Sequence, residues 1–253
     1  MSGHSKWSSI KHKKGAADAK RGKLFSKLAK EISLAARGGG GDLETNARLR
    51  QAVMAARSAN MPNDNVERAI KKGTGGLEGS QLVELSYEAY GPGGVAFFIT
   101  CLSDNRNRTV ASVRSLFTRH NINQAGGGAV SRLFQRKARF VVEGPSADED
   151  KVLELLLDGG ADVDSVEASE GTVEILAPPD QFDTIGGLLD KAGLHPTQAA
   201  INFMPLTTVQ VTDPVVARAV VRFLDAAEDD DDVQNVYSNF EMSDEMMAML
   251  AKE

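Results

Sequence analysis

The apolar rhythm of this chain changes once, and that change divides the molecule into two kinds of structure. Up to about residue 73 the apolar residues recur three and four positions apart: Leu24, Phe25, Leu28, Ile32, Ala35 and Ala36, then Leu49, Ala52, Val53 and Ala56. Such spacing gathers them on one face of a helix. From Gln81 onward, short runs rich in Val, Ile and aromatic residues alternate with helical stretches, as strands do when interleaved with helices. No aromatic residue lies between Phe25 and Tyr87, so the first part is an Ala-rich helical unit with a thin core. An all-α fold and an all-β fold are both excluded; the chain is α+β.

The helical part reads as helices from about Ala16 to Arg37, Glu44 to Ala59, and Asn63 or Asp64 (either of them a candidate cap) to Lys72, separated by Gly38–Gly41 and Pro62. Gly73 supplies the last stop, and Gly75–Gly76 a linker. Beyond it come a strand over 82–90, a GPGG turn and a buried strand over Val95–Leu102. A helix from about Thr109 to His120 and a strand near 129–134 follow. Strands near 138–142, 162–168, 172–177 and 198–204, with helices near 148–158 and 180–192, then give a βαββαβ order, that of a ferredoxin-like domain. A strand at Thr207–Val211, a helix at Pro214–Ala227 and a strand at Val233–Tyr237 return to complete the sheet begun at residue 82. The expected organisation is a flexible basic arm (1–14), an α-helical basic domain (15–76), a middle α/β domain (77–136 plus 206–253) and an inserted ferredoxin-like domain (137–205).

The net charge of −6 conceals a strong asymmetry. Residues 1–37 hold 10 bases against 2 acids, a net of +8, and residues 104–140 hold 8 against 1, a net of +7. Residues 141–253 hold 5 bases against 25 acids, a net of −20. A polyanion is drawn to the first two regions and repelled by the third. The acidic unit is therefore expected to stand away from the basic helices.

Catalytic chemistry finds no foothold in the motifs. There is no GxxxxGK[ST] phosphate loop and no HExxH, and His4, His12, His120 and His195 are scattered. The single cysteine, Cys101, sits in an apolar strand and reads as a small buried hydrophobe. Glu228–Asp232 reads as a solvated helix-to-strand turn. The expectation is a non-enzymatic protein with no cofactor, no metal and no small-molecule substrate. The longest apolar run, Val95–Leu102, is too short for a membrane span of ~20 residues. The basic start lacks the apolar core of a secretory signal. With one cysteine, a reduced cytoplasmic setting is the default.

The candidate site is the basic segment. Lys6, Lys11, Lys13, Lys14, Lys20, Arg21, Lys23, Lys27 and Lys30 put nine cations in 25 residues, with His4, Trp7 and His12 among them. Cations neutralise phosphates, and an exposed indole can stack on a base. Residues 1–14 show no apolar periodicity, so their removal is expected to leave the fold intact. Arg106 and Arg108, in the turn Asp104-Asn105-Arg106-Asn107-Arg108, with Arg114, Arg132, Arg136 and Arg139, form a possible second phosphate surface. Capping by Asp104 or Asn105 is a competing, structural reason for part of that turn.

At these residues the chain resembles a known family. GHSKW (3–7), IKHKK (10–14), DAKRGK (18–23), NMP-x-DN (60–65), ERAIKKGTG (67–75), YEAYGPGG (87–94), DNRNRT (104–109) and DDVQNVYSNF (231–240) resemble the YebC/PmpR family, nearly end to end. Its mitochondrial relative is the translational activator of cytochrome c oxidase. The resemblance implies three domains, one helical and two α/β, and a non-enzymatic regulator of gene expression. Two departures stand out: Ala89 replaces Gly in YEGYGPGG, and NINQAGGGAVSRLF (121–134) replaces GGNLG-x-x-GSV-x-W-x-F, with a cation, Arg132, near the missing aromatic.

Two functions follow from the resemblance and the charges together. The leading one is a translation factor bound to rRNA or tRNA on the ribosome, where a mobile basic arm suits irregular RNA, relieving stalls such as those at consecutive prolines. The alternative is a DNA-binding transcriptional regulator, which needs a recognition helix; the second helix, with Arg48, Arg50, Gln51 and Arg57, is the candidate. A pure protein-interaction scaffold leaves the charge of the arm unexplained.

Overall fold

The structure, a computed structural model, describes residue 7 and residues 17–76, 81–144, 147–169 and 171–251; of 17–20 only the backbone is described. The first helices whose residues are described are α1 (Ala17–Gly39), α2 (Ala47–Ser58) and α3 (Asn63–Gly73). Gly40 ends α1 in the left-handed region, at φ 85°. Asn46 caps α2: its Oδ1 accepts from Leu49 N at 3.1 Å, while its Nδ2 donates to the carbonyls of Ala35 and Gly40. One buried side chain thus joins the end of α1 to the start of α2. For α3 the expected cap is corrected. Pro62 holds the cap position and no side chain bonds there, because a proline ring carries no hydrogen-bonding atom. Gly73 closes α3 for a reason unrelated to its φ: a Cβ there would fall on the Ser33 carbonyl oxygen and the Ala36 side chain.

The remaining chain is mixed. β1 (Val83–Tyr90) and β2 (Ala96–Ser103) pair antiparallel, with Val83 opposite Ser103 and Tyr90 opposite Ala96. Gly91 opens the connection because any Cβ would strike the Phe97 ring and the Ile122 side chain. Next come α4 (Arg106–Arg119), β3 (Asn123–Gln124), β4 (Phe134–Glu143), α5 (Glu149–Asp158), β5 (Ser165–Ser169) and β6 (Thr172–Ala177). After these lie α6 (Phe182–Lys191), β7 (Gln198–Pro205), β8 (Val209–Gln210), α7 (Pro214–Glu228), β9 (Val233–Ser238), β10 (Phe240–Glu241) and α8 (Asp244–Leu250). The strand expected at 129–134 is a 3₁₀ turn over Ser131–Leu133, and β4 begins only at Phe134.

The chain falls into two compact units. The first comprises Met1–Lys27, Ser80–Gln135 and Met204–Glu253. Its four-stranded sheet has the order β3-β1-β2-β9, so β9 does return to the sheet begun by β1. β8 does not: it pairs parallel with β10 in a separate two-stranded sheet. Phe97 of β2, Phe117 of α4 and Phe223 of α7 are buried together, with Phe97 edge-on to Phe223 at 4.7 Å.

The second unit comprises Leu28–Gly79 and Arg136–Phe203. Its sheet has the order β5-β6-β4-β7, with α5 and α6 filling the βαββαβ sequence of elements. Phe140 stacks on Phe182 at 4.9 Å in its core. Here the expected separation of acidic and basic regions is corrected. Gly186 of α6 leaves room for the Met54 side chain of α2, and Arg50 of α2 pairs with Asp183 at 2.6 Å. Opposite charge and a shape match bring the helices onto the acidic domain.

Candidate nucleic-acid interface

Within the first unit, the basic start of α1 meets the acidic end of α7. Lys23 Nζ lies 2.6 Å from Asp229 Oδ1 and donates also to the Asp229 carbonyl at 3.1 Å. Lys27 Nζ donates to the Glu228 carbonyl at 2.6 Å. A helix C-terminus presents unsatisfied carbonyls and a partial negative charge, so α7 attracts lysines even before its carboxylates are counted. The hydrogen bond to Asp229 raises the Lys23 ammonium above its ordinary range; burial lowers that of Lys27 in spite of the nearby acids.

Trp7 is 5% exposed and packs with the core of the first unit; its Nε1–H donates to Asp225 Oδ1 at 3.4 Å. The expectation of an indole open for base stacking is therefore corrected. A large apolar ring gains more by leaving water than by waiting in it, and α7 supplies an acceptor for its N–H.

The turn at 104–109 is tied to the same acidic run. Asn105 caps α4, accepting from Arg108 N at 3.1 Å. Arg108 bridges Asp104 and Asp232, with Nη2 at 2.8 Å and 2.9 Å from them. Thr109 Oγ1 and Ser103 Oγ donate to Asp232 Oδ2 as well, and Ser112 Oγ to Asp230. These bonds hold the Arg108 guanidinium above and the Asp104 carboxyl below their ordinary ranges, in each case chiefly through the hydrogen bond between charged partners. Arg108 is thus a clamp joining two motifs far apart in sequence, rather than a cation reserved for phosphate. The acidic run is the helix-to-strand turn expected, with Asp229 and Asp231 exposed, but Asp232 within it is buried as an internal partner.

A buried carboxylate organises the divergent loop. Glu88, on β1, accepts from the backbone N–H of Gly128 at 2.8 Å, Val130 at 2.5 Å and Ser131 at 3.0 Å. Burial works to raise its pKa, but these backbone donors outweigh burial and hold the carboxyl below its ordinary range. Tyr90 Oη donates to the Ala129 carbonyl, fastening the loop a second time. Gly126–Gly128 stay exposed at its tip.

In the second unit the candidate recognition helix is already engaged. Arg50 donates to Asp183 and to the carbonyls of Leu43 and Glu44, and Arg48 pairs with Glu31 at 2.9 Å. Gln51 is half-buried and Arg57 exposed. Arg139 is buried against Glu174 and Gln198, which corrects its place in a phosphate surface. Arg21, Arg106, Arg114, Arg132 and Arg136 are exposed, and Lys30 is half-buried. His4, Lys6, Lys11, His12, Lys13 and Lys14 lie outside the described residues, as does the side chain of Lys20. Among the described residues no group of three or more His, Cys, Asp or Glu could hold a metal ion, and no helix is long and apolar enough to cross a membrane. Missed in the sequence was the mutual capture of Lys23 and Lys27 by Glu228 and Asp229; two short blocks of opposite charge, one near each end, were its only signal.

The fold and this web of cations and carboxylates define a class: among the described residues, an α+β protein with helices leading, two four-stranded sheets and the basic start of α1 tied to the acidic end of α7. The chain belongs to the TACO1/YebC family, matching the models for the "TACO1/YebC protein N-terminal domain" over residues 5–76 and the "TACO1/YebC second and third domain" over residues 82–240. It is 49% identical over 252 residues to a "probable transcriptional regulatory protein" of Desulfotalea psychrophila, covering all of both chains. A protein so named from Geobacter sulfurreducens is 51% identical over 250 residues, covering 99% of this chain and 100% of that one. The crystal structure of a conserved hypothetical protein from Aquifex aeolicus superposes with a TM-score of 0.82 at 45% identity, over 93% of this chain and 96% of that one.

Proposed function

We propose that this chain is a nucleic-acid-binding regulator of gene expression that acts in translation. In this reading it binds rRNA or tRNA on the ribosome and relieves stalling, such as that at consecutive prolines. The observation that carries the reading is where the cations are and what they do. Residues 1–37 hold 10 bases against 2 acids, whereas the helix best suited to reading a duplex has Arg48 and Arg50 committed to Glu31 and Asp183. A segment rich in Lys and His but without a free reading helix favours contact with irregular, phosphate-lined RNA. The second reading, a DNA-binding transcriptional regulator, is favoured by the names of the relatives.

The test is the salt dependence of binding to a 20-nucleotide single-stranded RNA. With ~6–8 phosphate contacts, log affinity for a single strand falls with log salt at a slope of roughly −4 to −6. Replacing Lys11, Lys13 and Lys14 together by Ala flattens the slope by about 2. An unchanged slope removes the arm from the phosphate contact.

A further inference from the structure

We propose that the acidic end of α7 is a built-in competitor for nucleic acid, a latch that holds Lys23 of α1 by an ion pair and Lys27 by a helix-end carbonyl and that a phosphate backbone must open. This rests on the nucleic-acid reading above. The contact has the chemistry of a phosphate site with the charges supplied from within. Asp229 offers a carboxylate oxygen 2.6 Å from Lys23 Nζ, and the Asp229 and Glu228 carbonyls at the helix end take a further hydrogen bond from Lys23 and one from Lys27. Asp230 and Asp231 add to the field at both lysines. Meanwhile Trp7, seated in the core of the same unit beside Asp225 of α7, anchors the chain upstream of α1, so the latch need not order a free segment each time it closes.

The latch is weak by construction, as a competitor must be. The Lys23 side chain is 42% exposed and that of Asp229 74%; exposed pairs of this kind change an equilibrium by only about 1.4- to 5-fold. A polyanion presenting many phosphates can therefore displace Asp229, whereas an isolated anion gains too little. Asp230 and Asp232 are built into the fold through Ser112, Thr109 and Arg108. Asp229 and its neighbouring helix-end carbonyls do the holding.

The experiment is a double-mutant cycle on the full chain, with affinity for a labelled 20-nucleotide single-stranded RNA read by fluorescence anisotropy at low salt. Asp229→Asn is expected to tighten binding about two- to fivefold without lowering the melting temperature by more than about 4 °C. Lys23→Ala is expected to weaken it. In the Lys23→Ala background, Asp229→Asn is expected to add nothing, because its partner is gone. Equal affinity of wild type and Asp229→Asn overturns the latch. So does a gain that persists undiminished in the Lys23→Ala background, since that is the effect of net charge alone. If none of the four proteins binds RNA, the underlying nucleic-acid reading fails, and the latch falls with it.

Discussion

Replacing Trp7 by Ala tests the most consequential packing contact in the first unit. The indole is 5% exposed and belongs to the cluster built around Phe97, Phe117 and Phe223. Removing a core Trp costs about 3–5 kcal/mol when a cavity remains. The N–H bond to Asp225 contributes little of this at 3.4 Å. Trp7→Phe, which keeps an aromatic ring and loses that bond, should therefore cost less than half as much. If the segment detaches instead of leaving a cavity, the loss is capped at the free energy of docking, and deleting residues 1–14 costs the same as Trp7→Ala. Urea unfolding followed by far-ultraviolet circular dichroism is the assay, because the variant lacks the chain's only Trp. A loss of 3–5 kcal/mol corresponds to a fall in melting temperature of roughly 6–20 °C for a protein of this size. Transitions that overlay within about 0.5 kcal/mol would show that Trp7 is not a core residue, and would restore it as a candidate for stacking on bases.

Asp232→Ala removes a 6%-exposed carboxylate side chain that accepts from Arg108, Thr109 and Ser103, and should destabilise by about 1.5–3 kcal/mol in the same urea experiment, with Asp232→Asn losing less. Gly73→Ala should cost about 1–3 kcal/mol by forcing α3 away from the Ser33 carbonyl; melting by circular dichroism reads it. Because the Glu88 carboxyl is held below its ordinary value of 4.5, the stability it contributes is complete above that pH and lost as pH falls through the lower, folded-state value. Glu88→Gln should therefore flatten the acid limb of the stability–pH curve below about pH 4.5; an unchanged limb would show that the loop contacts of Glu88 do not favour its ionised form.

Much of the fold was legible because its signals are local. The periodicity of Leu24 to Ala36 and of Leu49 to Ala56, and the glycines at 38–41, place α1 and α2 within three residues of their observed ends. The same holds for β6 and α7, where Val173, Ile175 and Ala177 alternate and Pro214 opens the helix. The misses are non-local. Trp7 sits in a segment without periodicity, so nothing nearby in sequence announces the core it joins, whose residues run from Ala89 to Leu250. Arg108 and Asp232 are 124 positions apart, and each alone looks like surface charge. The segment at 125–131 ran into an expected strand near 129–134, while the organiser of its loop, Glu88, lies some 40 residues earlier. Charge counting singled out the basic segment but treated its cations as equivalent. Lys23 and Lys27 carry internal partners that Arg21 and Arg106, both exposed, need not share.

The central claim, that the basic N-terminal segment serves translation, is met most directly by sedimenting the full chain with intact ribosomes through a gradient, beside footprinting on duplex DNA at the same salt. The account predicts co-sedimentation with ribosomes that falls as salt rises and is lost in the Lys11, Lys13, Lys14→Ala protein, with only weak, sequence-independent protection of the duplex. Sequence-selective protection of a duplex that depends on Arg50 or Gln51, with no chain travelling with ribosomes, would contradict it.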